Sequence, residues 1–212
     1  MPRVVRSRPL PRHQVNLSPA VLQAVAGAIG RCQVVCGPHV ALFEQRMAAM
    51  VGVPHALGTS SGRNAFLLAL RALELEPGDG VLVPDYTLAA VPALIVAMGL
   101  EPVFVDVDPA THHMDPEALE AAITPRCRAV LATHLFGLAS DMERICAIAQ
   151  RHSLVVLEDC AQSCGGSIHG RALGSFGHLA FFSFNTGKNI SCFGGGMLVG
   201  RDPELWSRVV AI

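Results

Sequence analysis

The stretch FFSFNTGKNISCFGGG, Phe181–Gly196, joins a strand-like apolar run to a glycine triplet and sets Lys188 between them. Lys188 is the only lysine of the chain; the remaining basic residues of the 16 Lys plus Arg are all arginine. A primary amine can lose its proton and attack a carbonyl, whereas a guanidinium stays charged and non-nucleophilic. Lys188 also sits among Phe, Gly, Asn and Ser rather than on a charged helix face. We therefore read it as a Schiff-base lysine and not as a solvated surface residue.

Outward from this loop the chain alternates. Strands are expected at His178–Ser183 and Gly196–Val199 on either side of it. Upstream, short apolar runs at Val53–Gly58, Gly80–Pro84, Pro102–Asp106, Arg128–Thr133 and Leu154–Asp159 read as buried strands. Between them helical spacing covers Ala65–Leu73, Tyr86–Met98, Asp115–Ala122 and Ser140–His152, with Pro116 at a first helical position. Residues 15–50 read as two helices broken at Cys36-Gly-Pro, the first capped near Asn16, and a last helix begins at Pro203. This rhythm predicts an α/β fold: three layers, α/β/α, around a mostly parallel sheet covered on both faces.

Hydrophobic residues make up 51% and charged residues 16% of the 212, which favours a large interior or a broad subunit interface. With a net charge of −1, nothing points to nucleic acid or an anionic membrane. The longest apolar run, Leu88–Leu100, is about a dozen residues and contains Pro92 and Gly99, too short for a membrane span of about 20. Residues 1–14 are basic and proline-containing with no apolar stretch after them, and read as a flexible arm. Seven cysteines at irregular spacings lack a zinc pattern, so no metal site is expected and a reducing, cytoplasmic setting is.

In parallel α/β sheets ligands gather at the carboxyl ends of the strands. Three polar clusters stand there. Ser60-Ser61-Gly62-Arg63 leads into a helix and suits an anion such as phosphate. Glu158-Asp159-Cys160-Ala161-Gln162 ends an apolar strand with carboxylates able to pair with a buried cation. Ser183 shares the lysine loop. Together they supply what a pyridoxal 5′-phosphate site needs: Lys188 for the Schiff base, Asp159 to hold the ring nitrogen protonated, and the Ser60–Arg63 turn with Ser183 for the phosphate. A P-loop is the rival reading of Gly187-Lys188. It fails because Phe182 occupies its first glycine position and Asn189 its Ser/Thr position.

The stretches GPHVALFEQRMA, SSGRNAFLLALRAL, PGDGVLVPDYT, HLFGLASDMERICAIAQRHSLVVLEDCAQSCG and SFGHLAFFSFNTGKNISCFGGGMLV, in this order, resemble the DegT/DnrJ/EryC1/StrS sugar aminotransferases. The resemblance covers about residues 15–210 and implies the large domain of the type I pyridoxal phosphate transferase fold. It implies that Lys188 is the Schiff-base lysine and acid/base, and that Asp159 pairs with the pyridinium. Gln162 would lie beside the ring's phenolic oxygen, with Ser183, Ser61, Gly62 and Arg63 at the phosphate. The implied activity moves an amino group from an amino acid, typically glutamate, to a nucleotide-linked keto sugar, in a homodimer.

Three positions depart from the family pattern. Arg63 replaces a threonine, and its cation is able to clamp a phosphate. Leu88 stands where an aromatic side chain usually covers the ring, and Tyr86 is the candidate substitute. His178 replaces an aspartate. His134 falls at a strand end and is expected to face the same site, in a role left open. The resemblance also implies that residues 15–212 form a cofactor-binding large domain that stops before a smaller C-terminal domain, against which the initial helices pack. An alternative reading is a truncated, non-catalytic cofactor-binding or association domain.

Overall fold

A computed structural model describes residues 18–33 and 37–212. The expected N-terminal arm, the Asn16 cap and the break at Cys36 lie outside the described residues. The elements run α1 (Pro19–Gly30), α2 (Pro38–Val51), β1 (His55–Thr59), α3 (Gly62–Ala72), β2 (Gly80–Pro84), α4 (Ala90–Ala97), β3 (Glu101–Val105), α5 (Pro116–Ala122) and β4 (Cys127–Thr133). They continue with α6 (Met142–Arg151), β5 (Val155–Asp159), β6 (Ser167–Ile168), β7 (Arg171–Ala172), β8 (Leu179–Ser183), β9 (Gly196–Gly200) and α7 (Pro203–Ala211).

Seven strands form one sheet in the order β1-β9-β8-β5-β4-β2-β3. The five from β8 to β3 are parallel, and β9 runs antiparallel to both β8 and β1. Side chains alternate along each strand, so the sheet has two apolar faces. One carries Val81, Val83, Leu131, Leu157, Phe181 and Leu198, packed with α3, α4 and α7. The other carries Leu82, Val130 and Val156 under α5 and α6, and Phe182, Met197 and Val199 under α2. The three-layer expectation is met.

Local chemistry explains most of the boundaries. Asp115, Asp141 and Asp202 cap α5, α6 and α7 by accepting backbone N–H groups, and proline opens α5 and α7. On α3 the apolar residues Ala65, Phe66, Ala69 and Leu70 recur at helical spacing and are all buried. Three helices start elsewhere than expected: α6 begins at Met142 rather than Ser140, where Asp141 caps it, and α3 and α4 differ as follows. α3 begins at Gly62, three residues early, because Ser61 Oγ accepts the Asn64 N–H and caps it there. α4 begins at Ala90 rather than Tyr86, because Asp85 N–H still pairs with Val105 O at the end of the sheet. The β6–β7 hairpin was not expected. Its turn places His169 and Gly170 at φ 49° and 81°, and strands of two residues leave no alternation to read.

The last two glycines of the triplet have a local reason. Gly195 takes φ 92°, and Gly196 lies against the backbone that enters α3. A Cβ on Gly196 would come to 2.6 Å from Ser61 O. Gly196→Ala is therefore expected to lose about 3 kcal/mol or more of stability, since backbone, unlike a flexible side chain, cannot move aside. Urea unfolding monitored by circular dichroism measures that loss.

Candidate active site

A cavity of about 420 Å³ opens at the carboxyl end of the parallel strands, on the face covered by α3 and α4. Ser60, Ser61, Gly62, Arg63, Asp159, Ser183 and Lys188 all line it. These residues come from three separate parts of the chain, and the sheet order explains their meeting. β5 neighbours β8, so Asp159 at the end of one strand lies beside the loop that leaves the other. β1 joins the same sheet through β9, which brings the α3 N-terminus alongside: Gly195 N–H donates to Ser60 O at 3.2 Å.

Lys188 is half-buried in a loop built by Asn185. Asn185 Oδ1 accepts the Thr186 N–H at 2.6 Å, and its carbonyl accepts the Lys188 N–H at 3.0 Å, a side-chain-stabilised turn. Asn189 then donates from Nδ2 to Cys164 O at 2.6 Å, tying the lysine loop to the segment that follows Asp159. Among the described residues Lys188 forms no ion pair closer than 4.0 Å.

Asp159 is 7% exposed, and its Oδ1 accepts the Ala161 N–H at 2.9 Å. Burial pushes its carboxyl above the usual range; the Ala161 N–H and the Lys188 charge act in the opposite direction. Such a carboxylate is short of a cationic partner.

The phosphate end reads as an anion cradle. The Arg63 N–H in the first turn of α3 has no acceptor among the described residues, and no acidic residue occupies that turn. Arg63 adds a like-signed charge to the positive end of the helix dipole, an arrangement that an anion relieves. Gly62 is required there: a Cβ would come to 2.9 Å from Ser183 Cβ. A buried carboxylate at one end, an amine at the side and an anion cradle at the other fit pyridoxal phosphate.

Other expectations need correction. Tyr86 does not line the cavity; its ring lies 5.8 Å from that of His112 and 6.4 Å from that of Phe136, and Leu88 lines the cavity instead. Gln162 is exposed outside the lining, its Oε1 accepting the Phe136 N–H at 3.1 Å. His134 faces away from the cavity: it is fully buried, with Nε2 3.2 Å from Glu158 Oε2. One residue beyond Thr133 the side chain falls on the opposite sheet face, and sequence position cannot show which face holds the site. His178 accepts the Val156 N–H at Nδ1 (2.9 Å) and takes no part in the cavity.

The family model for DegT/DnrJ/EryC1/StrS aminotransferases matches residues 16–212. The chain belongs to this family. A UDP-N-acetyl-3-dehydro-α-D-glucosamine 3-aminotransferase of Acidithiobacillus ferrooxidans is 43% identical over 194 residues, 91% of this chain and 53% of the relative. An aminotransferase structure from Psychrobacter cryohalolentis superposes with a TM-score of 0.89 at 33% identity, covering 94% of this chain and 52% of that one. NtdA of Bacillus subtilis, solved with bound cofactor PMP, superposes at 0.83 with 33% identity over 89% of this chain and 43% of its own. The chain thus spans about half the length of the DegT/DnrJ/EryC1/StrS relatives it matches. Among the described residues no helix is long and apolar enough to cross a membrane.

Proposed function

We propose that this chain is the cofactor-binding large domain of a pyridoxal 5′-phosphate-dependent aminotransferase that acts on a nucleotide-linked keto sugar in the cytoplasm, as a homodimer. The observation that carries the reading is the convergence of Lys188, Asp159 and the α3 N-terminus with Arg63 on one cavity. When bound, the cofactor supplies an aldehyde that exchanges amines and a ring that accepts electrons. Lys188 would hold the cofactor through its amine, and Nζ would serve as the base and acid that moves the substrate's proton. Asp159 pairs with the protonated ring nitrogen, which relieves the cost of its own burial. Ser61, Gly62, Arg63 and Ser183 hold the phosphate. Gln162 works from the rim: its oxygen is engaged by Phe136 N–H, which leaves its amide nitrogen to donate toward the phenolic oxygen. The closely similar A. ferrooxidans protein, named for a UDP-linked sugar, supports the substrate class.

The second reading, an association domain without turnover, draws on α1. Val21, Leu22, Val25 and Ile29 are all exposed there, an apolar face suited to burial against further protein. Titration with pyridoxal phosphate, then excess L-glutamate, separates the two. Active protein develops a visible absorbance band that glutamate removes, with release of 2-oxoglutarate. No band at any cofactor concentration sinks the aminotransferase reading, and a band that glutamate leaves unchanged limits the chain to binding.

A further inference from the structure

β5 ends in two consecutive carboxylates that the strand sends to opposite faces. Asp159 reaches the cavity. Glu158 is fully buried on the other face, where it accepts N–H groups from Gly174 at 2.8 Å, from Gly177 at 2.6 Å and from His134 Nε2 at 3.2 Å. The His134 tautomer follows from its other nitrogen: Nδ1 accepts the Ser140 N–H at 3.1 Å, so Nε2 bears the hydrogen. Cys160 Sγ lies close by, but both imidazole nitrogens are engaged, so this trio holds no free ligand set for a metal. The two glycines are needed to bring their N–H groups in. Gly174 takes φ 93°, and a Cβ on Gly177 would come to 2.8 Å from Val156 O.

We infer that Glu158 is a positioning residue for Asp159. The chain leaves the sheet after Asp159 and returns at β8, and Glu158 binds the end of that excursion to its beginning. The root of the excursion is the turn in which Ala161 N–H donates to Asp159 Oδ1. With Glu158 anchored, that turn is held still and the Asp159 carboxylate keeps one orientation toward the cavity. With an amide in its place, one of the two oxygens becomes an NH2 that faces N–H donors, so those donors lose their acceptor and the turn loosens. The inference rests on the proposed role of Asp159, and the test separates the two.

Glu158→Gln keeps the shape and removes the charge. Leu119→Ala, in the α5 core, is a control that lowers stability at a distance from the site. Two quantities are read in wild type and both variants: hydrogen exchange of the Ala161 amide in cofactor-free protein, and affinity for pyridoxal phosphate. Glu158→Gln is expected to speed Ala161 exchange beyond the control and to weaken cofactor binding about tenfold or more. Exchange or affinity in Glu158→Gln that matches Leu119→Ala overturns the inference and leaves Glu158 a purely structural group. A wild-type protein that binds no cofactor, while Ala161 exchange still responds, overturns the proposed function and not the anchoring. Should Glu158→Gln fail to fold, His134→Phe, which removes one of the three donors, is read by the same two measurements and decided by the same outcomes.

Discussion

Lys188→Ala is expected to abolish covalent capture of the cofactor. Wild-type protein incubated with pyridoxal phosphate and then borohydride gains one phosphopyridoxyl group, the cofactor less water plus the added hydrogen, on the peptide that contains Lys188. The alanine variant gains none, and Lys188→Arg gains none either, because a guanidinium does not attack a carbonyl. The experiment is unusually clean here: no second lysine exists, so label on the variant could reside only on the N-terminal amine. Turnover with glutamate should fall by about 10³-fold or more. The fold should persist, since Lys188 is half-buried in a loop and makes no ion pair among the described residues; a change within about 0.5 kcal/mol is expected. Equal labelling of wild type and variant would end the proposed role.

Asp159→Asn is expected to act in opposite directions on the free and the loaded protein. Burial raises the carboxyl in the folded state above its unfolded value. Its contribution is then full below the unfolded value and is lost as pH rises toward the folded one. Above the folded value the free protein carries a buried charge without a full partner. Asparagine removes that charge, so the cofactor-free variant should show a flatter dependence of stability on pH and, at the alkaline end of the range, a higher thermal midpoint. Cofactor binding should weaken by about 3 kcal/mol or more, roughly a hundredfold, because the ring cation loses its carboxylate. Thermal melts across pH, with and without pyridoxal phosphate, read both signs. A variant that binds as tightly as wild type would show that Asp159 does not meet the ring.

Much of the fold was legible because its central strands are buried on both faces and therefore continuous. Gly80–Pro84 matches its observed limits, and the parallel strands β4, β5 and β8 differ from expectation by one residue at their starts. The hairpin β6–β7 was not legible, since two-residue strands are held by a turn and not by a pattern. The site divides the same way. Lys188 was marked by being the one amine, and the Ser60–Arg63 turn by its place before a helix. Tyr86 and His134 were misjudged because each stands within a few residues of a cavity-lining or strand-end position, and one step along a strand or turn reverses where a side chain goes.

Lys188, Asp159 and the anion turn are properties of the amino-acid order: their chemical types, and their places at the ends of apolar strands, can be read without coordinates. Which of two adjacent carboxylates meets the cavity was settled only by the sheet, because the pleat sends Asp159 to one face and Glu158 to the other. The pairing of β1 with β9, strands far apart in the chain, alone brings the α3 N-terminus to the lysine loop. Such long-range register depends on which apolar faces pack together, and no local stretch of sequence contains that information.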